Sequence, residues 1–159
     1  MHTSLLPLFR STCFWSVCLA WLIAQTTKMI CGLQRTRRVD FQYLVSLGGM
    51  PSAHTAAACA MAASVGLEGG FGRPLFVLAL FFAAVTMFDA ATVRLAAGHQ
   101  AKLLNELLDE LFKSHRLSER KLAELLGHTR LEILMGALIG ILTALLVKSA
   151  AVLNGPLGR

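Results

Sequence analysis

Charge is what this chain has least of. Asp, Glu, Lys and Arg make up 15% of its 159 residues, against about 25% in ordinary soluble domains. Hydrophobic residues make up 55%. So apolar a composition excludes a disordered chain and argues against a soluble globular one. Acidic residues are scarcer than basic ones, nine against fifteen, for a net charge of +6. On a soluble chain that excess would suggest nucleic acid. Here it points to loops beside anionic lipid headgroups or to an anionic substrate, and no nucleic-acid partner is expected. No Cys-x-x-Cys pair occurs. Cys13, Cys18, Cys31 and Cys59 are scattered through or beside apolar stretches, which excludes a disulfide framework or a zinc site and leaves buried thiols. No strand-type alternation and no internal repeat is visible. What remains is an all-α expectation: an integral membrane bundle of about four spanning or re-entrant helices in a single domain, residues 1–159.

The apolar runs locate the helices. Residues 11–27 carry no charge and include Phe14, Trp15, Leu19, Trp21, Leu22 and Ile23. A first span over 11–30 has the length a bilayer requires. A cleaved signal peptide is the alternative, but no small-x-small site precedes a polar mature start and Lys28 follows directly, so a retained span is expected. A short Ala-rich helix is expected over 51–66, opened by Pro51 and closed by Gly66. Its small side chains suit the inside of a bundle. A third span is expected over 74–97 and a fourth over 129–150. Between them, 98–127 reads as an amphipathic helical hairpin. Leu103, Leu104, Leu107, Leu108 and Leu111 fall at helical spacing there, and Lys102–Glu106 and Asp109–Lys113 are opposite charges four apart. A second short helix is expected to start at Ser118. Gly136-x-x-x-Gly140 permits close helix approach, either within the chain or in a homodimer. With four spans, eleven basic residues, Lys28, Arg35 and Arg94 among them, fall on one side and four on the other. The positive-inside rule makes the basic side cytoplasmic.

Polar residues inside such helices require a reason. Lys28, Ser52, His54, Asp89, Arg94, His128 and Glu132 are separated by up to a hundred positions in sequence. With four spans, all of them stand at the cytoplasmic ends of their helices and collect at one depth. Gly48-Gly49-Met50-Pro51-Ser52-Ala53-His54 combines a flexible turn with a helix start, whose unpaired N–H groups attract an anion. Read structurally, the same turn is a helix start with an N-cap serine. His128 and Glu132, four apart, share a helix face. A carboxylate on one ring nitrogen leaves the other available as nucleophile or base. Thr129-x-x-Glu132 is also a capping box, and a Glu132 turned back to the cap is expected to be lost to the imidazole.

Taken in order, these residues resemble the divergent branch of the type 2 phosphatidic acid phosphatase superfamily. The branch's segments stand here as Gly-Gly-Met-Pro-Ser-x-His at 48–54, Asp-Ala-x-x-Val-Arg at 89–94 and Leu-Leu-Gly-His-Thr-x-x-Glu at 125–132, with Ala-Gln-x-x-Lys at 24–28. The resemblance implies a helical membrane fold and a phosphohistidine mechanism. His128 would be the nucleophile, Glu132 its orienter and His54 the general acid. Lys28, Arg35, Ser52, Ala53 and Arg94 would hold the phosphoryl oxygens. Positioning and fixed positive charge are what such a transfer chiefly needs. The chain departs from the wider superfamily in carrying Glu132 for Asp and Ala53 for Gly, and in placing Arg94 far ahead of His128. Asp89 has no counterpart in the wider motifs; it either pairs with a basic group or holds Mg²⁺, with no cofactor required. The implied activity is hydrolysis of a lipid phosphate or diphosphate (phosphatidate, phosphatidylglycerophosphate or an isoprenyl diphosphate) at the cytoplasmic face of a bacterial inner or organellar membrane. The alternative is a phospholipid- or phosphate-binding membrane protein without turnover.

Overall fold

A computed structural model describes residues 6–36, 49–111 and 128–154, with backbone alone for residues 35, 36, 94, 95, 109 and 111. Every regular element among them is helical: α1 (Leu6–Arg10), α2 (Thr12–Thr36), α3 (Ala53–Gly69), α4 (Pro74–Ala91), α5 (Val93–Leu111) and α6 (Arg130–Asn154). Three stretches are long and apolar enough to cross a membrane: Thr12–Gln34, Pro74–Leu108 and Arg130–Asn154. At 1.5 Å per residue, the 25 residues of α6 extend about 37 Å, enough for a hydrocarbon core of about 30 Å. The second half of the expected hairpin, including the helix placed at Ser118, lies outside the described residues.

The bundle is assembled around α3. Large side chains of α4 such as Leu78, Phe81 and Phe82 point outward, while its Ala79 and Ala83 are buried with Ala58, Cys59 and Ala62 of α3. On the other side of α3, Ala53, Ala56 and Ala60 pack on Ala20 and Ala24 of α2. Alanine is thus the core residue: it favours helix and lets backbones approach closely where lipid offers no hydrophobic drive. Gly136 and Gly140 of α6 complete the packing. A Cβ at Gly136 would stand 2.5 Å from the Ser52 carbonyl oxygen, and one at Gly140 would collide with the Ala56 carbonyl. The glycine pair is therefore used within the chain, and a homodimer would have to use another face.

Contacts at the two ends establish the direction of each helix. At one end Thr12 of α2 hydrogen-bonds Glu68 of α3, and Phe71 and Phe76 lie against Gly66. At the other end Lys28 lies beside Gly49, the Ser52 N–H donates to the Glu132 carbonyl and the His128 N–H donates to the Ala90 carbonyl. So α2, α3, α4 and α6 run the length of the bundle in alternating directions, and α3 traverses it shielded by the other three. The expected third span, 74–97, is divided at Thr92. Its hydroxyl donates to the Phe88 carbonyl at 2.7 Å, and its N–H is shared between the Phe88 and Asp89 carbonyls. Such back-bonding bends a helix. Helix resumes at Val93 as α5, whose Gly98, Ala101 and Asn105 are buried and whose Leu103, Leu104 and Leu107 are exposed.

Candidate active site

Four helix tips meet at the Lys28 end, and main-chain bonds hold them together. The last carbonyls of α4 have no partner within that helix. One of them, Ala90, accepts the N–H of His128 at 3.1 Å. The interruption at Thr92 is what exposes this carbonyl to the start of α6. The bond from the Ser52 N–H to the Glu132 carbonyl, also 3.1 Å, joins the start of α3 to the first turn of α6. Ser52 is the N-cap of α3 and is fully buried. Its Oγ accepts from the Thr55 N–H at 3.4 Å and the Thr55 hydroxyl at 3.0 Å. Gly49, at φ +96°, lies 3.6 Å from the Lys28 stem if a Cβ is built on it. That left-handed conformation and close approach are what its lack of a side chain permits.

The start of α6 carries two functions on one oxygen. Glu132 Oε2 accepts the Thr129 N–H at 3.0 Å, while the Glu132 N–H donates to Thr129 Oγ1 at 3.3 Å, closing a reciprocal capping box. The same Oε2 lies 3.1 Å from Nδ1 of His128. Capping and contact with the imidazole therefore coexist, contrary to the expectation that one would preclude the other. A carboxylate oxygen has two lone pairs, and the residue just before the N-cap stands close enough to reach the second. His128 is 2% exposed.

Beside this pair is a pocket of about 420 Å³. Its polar lining comes from Lys28, Thr129 and Glu132, and Cys31, Gly32, Gly49, Met50 and Leu131 complete it. Lys28 is 4% exposed and close enough to Glu132 for their charges to interact. Of the residues expected to form the site, Lys28 and Glu132 thus share a pocket, with His128 bonded to the latter. Ser52 and Ala53 are buried behind it in the first turn of α3. His54 is exposed on that turn and does not line the pocket. Asp89 is half-buried on the last turn of α4, one residue before the carbonyl that holds His128. Arg35 falls on α2 and Arg94 on α5, but their side chains lie outside the described residues, as does Gly48. Among the described residues, no group of three or more His, Cys, Asp and Glu side chains could hold a metal.

Sequence reasoning missed Thr55, the Ala90 carbonyl, and the Cys31–Gly32 wall. Thr55 was legible as the third residue after an N-cap serine. The Ala90 carbonyl had no side-chain signature. Cys31 and Gly32 are one turn after Lys28 on the same face.

Most of the chain is similar to known proteins. Residues 9–143 match the model of the divergent PAP2 family. The chain belongs to the divergent PAP2 family. The divergent PAP2 match takes in α2, α3, α4, α5 and the first half of α6, hence every residue of the site. An uncharacterized membrane protein of Bacillus subtilis strain 168, YuiD, is 37% identical over 139 residues, covering 80% of this chain and 88% of YuiD. No solved structure matches. Like YuiD, this member of the divergent PAP2 family is a membrane protein, and its three long apolar stretches agree with that.

Proposed function

We propose that this protein is a membrane phosphatase that hydrolyses a lipid phosphate or diphosphate through His128. The observation that carries the reading is the Nδ1–Glu132 contact at 3.1 Å at a tip where Lys28 supplies a buried positive charge. The carboxylate fixes the neutral ring through Nδ1, so that the Nε2 lone pair can attack, and offsets the positive charge the ring gains as the N–P bond forms. The Nε2 lone pair forms a bond to phosphorus as the bond from phosphorus to the lipid oxygen breaks. His54, in the first turn of α3, gives that oxygen its proton. Water then breaks the N–P bond, releasing phosphate and regenerating the imidazole. Lys28, Ser52, the Ala53 turn, Arg35 and Arg94 hold the phosphoryl oxygens, and the active site faces the cytoplasm.

The test is phosphate release by the purified protein in nanodiscs from phosphatidate, phosphatidylglycerophosphate and an isoprenyl diphosphate. Loss of release in His128→Ala, with folding intact, is the expected result; release that survives refutes the phosphohistidine scheme. A second reading, phospholipid or phosphate binding without turnover, is favoured by the burial of His128 and by the exposure of His54 outside the Lys28 pocket. Retained binding with no release from any of these lipids decides for it.

A further inference from the structure

At the tip of the α3–α6 contact a single residue of α3, Ser52, meets two residues of α6 that are one turn apart. Its N–H donates to the Glu132 carbonyl at 3.1 Å. Its carbonyl faces Gly136, where a Cβ would stand 2.5 Å from the oxygen and 3.3 Å from the carbonyl carbon. The same Cβ would stand 3.2 Å from Cβ of Thr55. Ser52, Thr55 and Gly136 are all buried. Neither obstacle yields easily. The Ser52 carbonyl accepts the Ala56 N–H at 3.0 Å, the first hydrogen bond of α3, and Cβ of Thr55 is fixed to its own backbone. One turn later along α6, Gly140 meets Ala56 and Ala60 in the same way.

This contact divides the candidate site. On one side stand Ser52 and Lys28, the latter packed on Gly49, three residues before Ser52. On the other stand His128 and Glu132, whose Nδ1–Oε2 contact lies within the start of α6 and moves with that helix. The distance from the imidazole to the Ser52 turn is therefore governed by how closely α6 approaches α3 at the tip.

We propose that Gly136 is a positioning residue of the candidate active site: its missing side chain sets how closely the His128–Glu132 pair approaches the Ser52 turn and Lys28. The proposal rests on the phosphatase reading for the chemistry that this spacing serves. A methyl group at 136 would stand roughly 0.9 Å inside ordinary contact with the Ser52 oxygen. Relieving half of that overlap along the contact takes the Ser52–Glu132 bond past about 3.5 Å, where a hydrogen bond ends. A misplacement of about 1 Å at a reacting centre can cost on the order of 10²-fold in rate. Gly140 supplies the comparison. A methyl group there is obstructed by backbone as well, but it lies about 12 Å along α6 from Glu132 at 1.5 Å per residue. Helix α6 can lean away from Ala56 and Ala60 while the Ser52–Glu132 and Ala90–His128 bonds stay closed. At Gly136 no such tilt is open, because the obstacle and the bond belong to the same residue.

The test compares Gly136→Ala with Gly140→Ala in the full-length protein in nanodiscs, with phosphatidate as the probe and rates scaled to folded protein. Both variants should lose a similar amount of Tm. In Gly136→Ala kcat should fall by on the order of 10²-fold, with a smaller change in KM, because Lys28 and Ser52 keep their mutual positions while the nucleophile is displaced. In Gly140→Ala kcat should stay within a few-fold of wild type. Hydrogen exchange at the Ser52 amide should be faster in Gly136→Ala than in Gly140→Ala. Should Gly136→Ala fail to fold, Thr55→Ile adds bulk against the same glycine, and Thr55→Val, which lacks the same hydroxyl but keeps the shape, is its reference; kcat should be several-fold lower in Thr55→Ile. Equal kcat in the members of either pair overturns the proposal and leaves the phosphatase reading standing. Wild-type protein that releases no phosphate overturns the phosphatase reading. The Ser52 amide then decides alone, and exchange no faster in Gly136→Ala than in Gly140→Ala overturns the spacing role as well.

Discussion

Replacing Gly140 by alanine puts one methyl group where α6 touches α3. The new Cβ would stand 2.9 Å from the Ala60 nitrogen and closer still to the Ala56 carbonyl, against 3.4 Å or more in ordinary contact. Both obstructing groups are backbone inside a helix, so no rotamer change relieves the contact, and α6 must move off α3 by roughly half an ångström or more. Overpacking of this kind costs about 1–3 kcal/mol. Alanine returns up to about 1 kcal/mol of helix propensity. Because the obstruction is rigid, its upper range applies, and a net loss of about 1–2 kcal/mol is expected. That corresponds to a fall of roughly 2–8 °C in Tm at the scaling for domains of 150 or more residues. Thermal unfolding in detergent measures it, beside the oligomeric state of the same sample. A Gly140→Ala protein as stable as wild type would refute the packing argument; a changed oligomeric state with unchanged stability would return the glycine pair to a dimer interface.

The other predictions concern the tips. Glu132→Gln keeps the size of the side chain but loses the carboxylate against Nδ1, and phosphate release should fall by on the order of 10²-fold or more, the scale of a lost acid–base contribution, with a Tm close to wild type. Thr129→Ala removes the hydroxyl that accepts the Glu132 N–H and should cost about 1 kcal/mol of stability, measured by thermal unfolding. Lys28→Met should raise KM for the lipid phosphate more than it lowers kcat if the ammonium acts chiefly in binding; an unchanged KM in the kinetic assay would take Lys28 out of the pocket's function. If Asp89 pairs with a basic group, EDTA should leave phosphate release unchanged; restoration by Mg²⁺ of activity lost to EDTA would place Asp89 in a metal site.

The large features of the fold were legible because the bilayer restricts the choices. Uncharged runs had to be spans, and the alanines of 53–62 had to be inside because they offer lipid so little. The collection of Lys28, Ser52 and Glu132 at one end followed from counting alternating helices, and the contacts of Gly49 with Lys28 and of Ser52 with Glu132 agree with it. The break at Thr92 was not legible. No Gly or Pro marks it, and threonine back-bonding to a carbonyl four residues earlier is common in unbroken helices, as Thr86 to Phe82 shows in α4 itself. What distinguishes Thr92 is that its N–H is also shared with the Asp89 carbonyl, a difference of geometry with no residue type to announce it. The consequence for the site was hidden with it, because the Ala90 carbonyl anchors His128 through main-chain atoms.

Glu132 shows why a motif reading divides roles that a structure unites. A capping box and a histidine orienter look exclusive when each is assigned a whole side chain. At atomic scale each needs one lone pair, and Oε2 supplies both, to the Thr129 N–H and to Nδ1 of His128. The arrangement has a physical benefit for the proposed nucleophile. The cap holds the carboxylate by a backbone group that cannot rotate away, and the helix dipole at the start of α6 favours its negative charge. The ring thereby leans on an acceptor whose position is set by the helix itself. Loosening the cap should therefore loosen the ring. In a Thr129→Ala, Glu132→Gln double-mutant cycle the effects on phosphate release should be strongly non-additive, as for groups acting as one unit. Independent effects would mean that the cap and the imidazole share an oxygen without sharing a function.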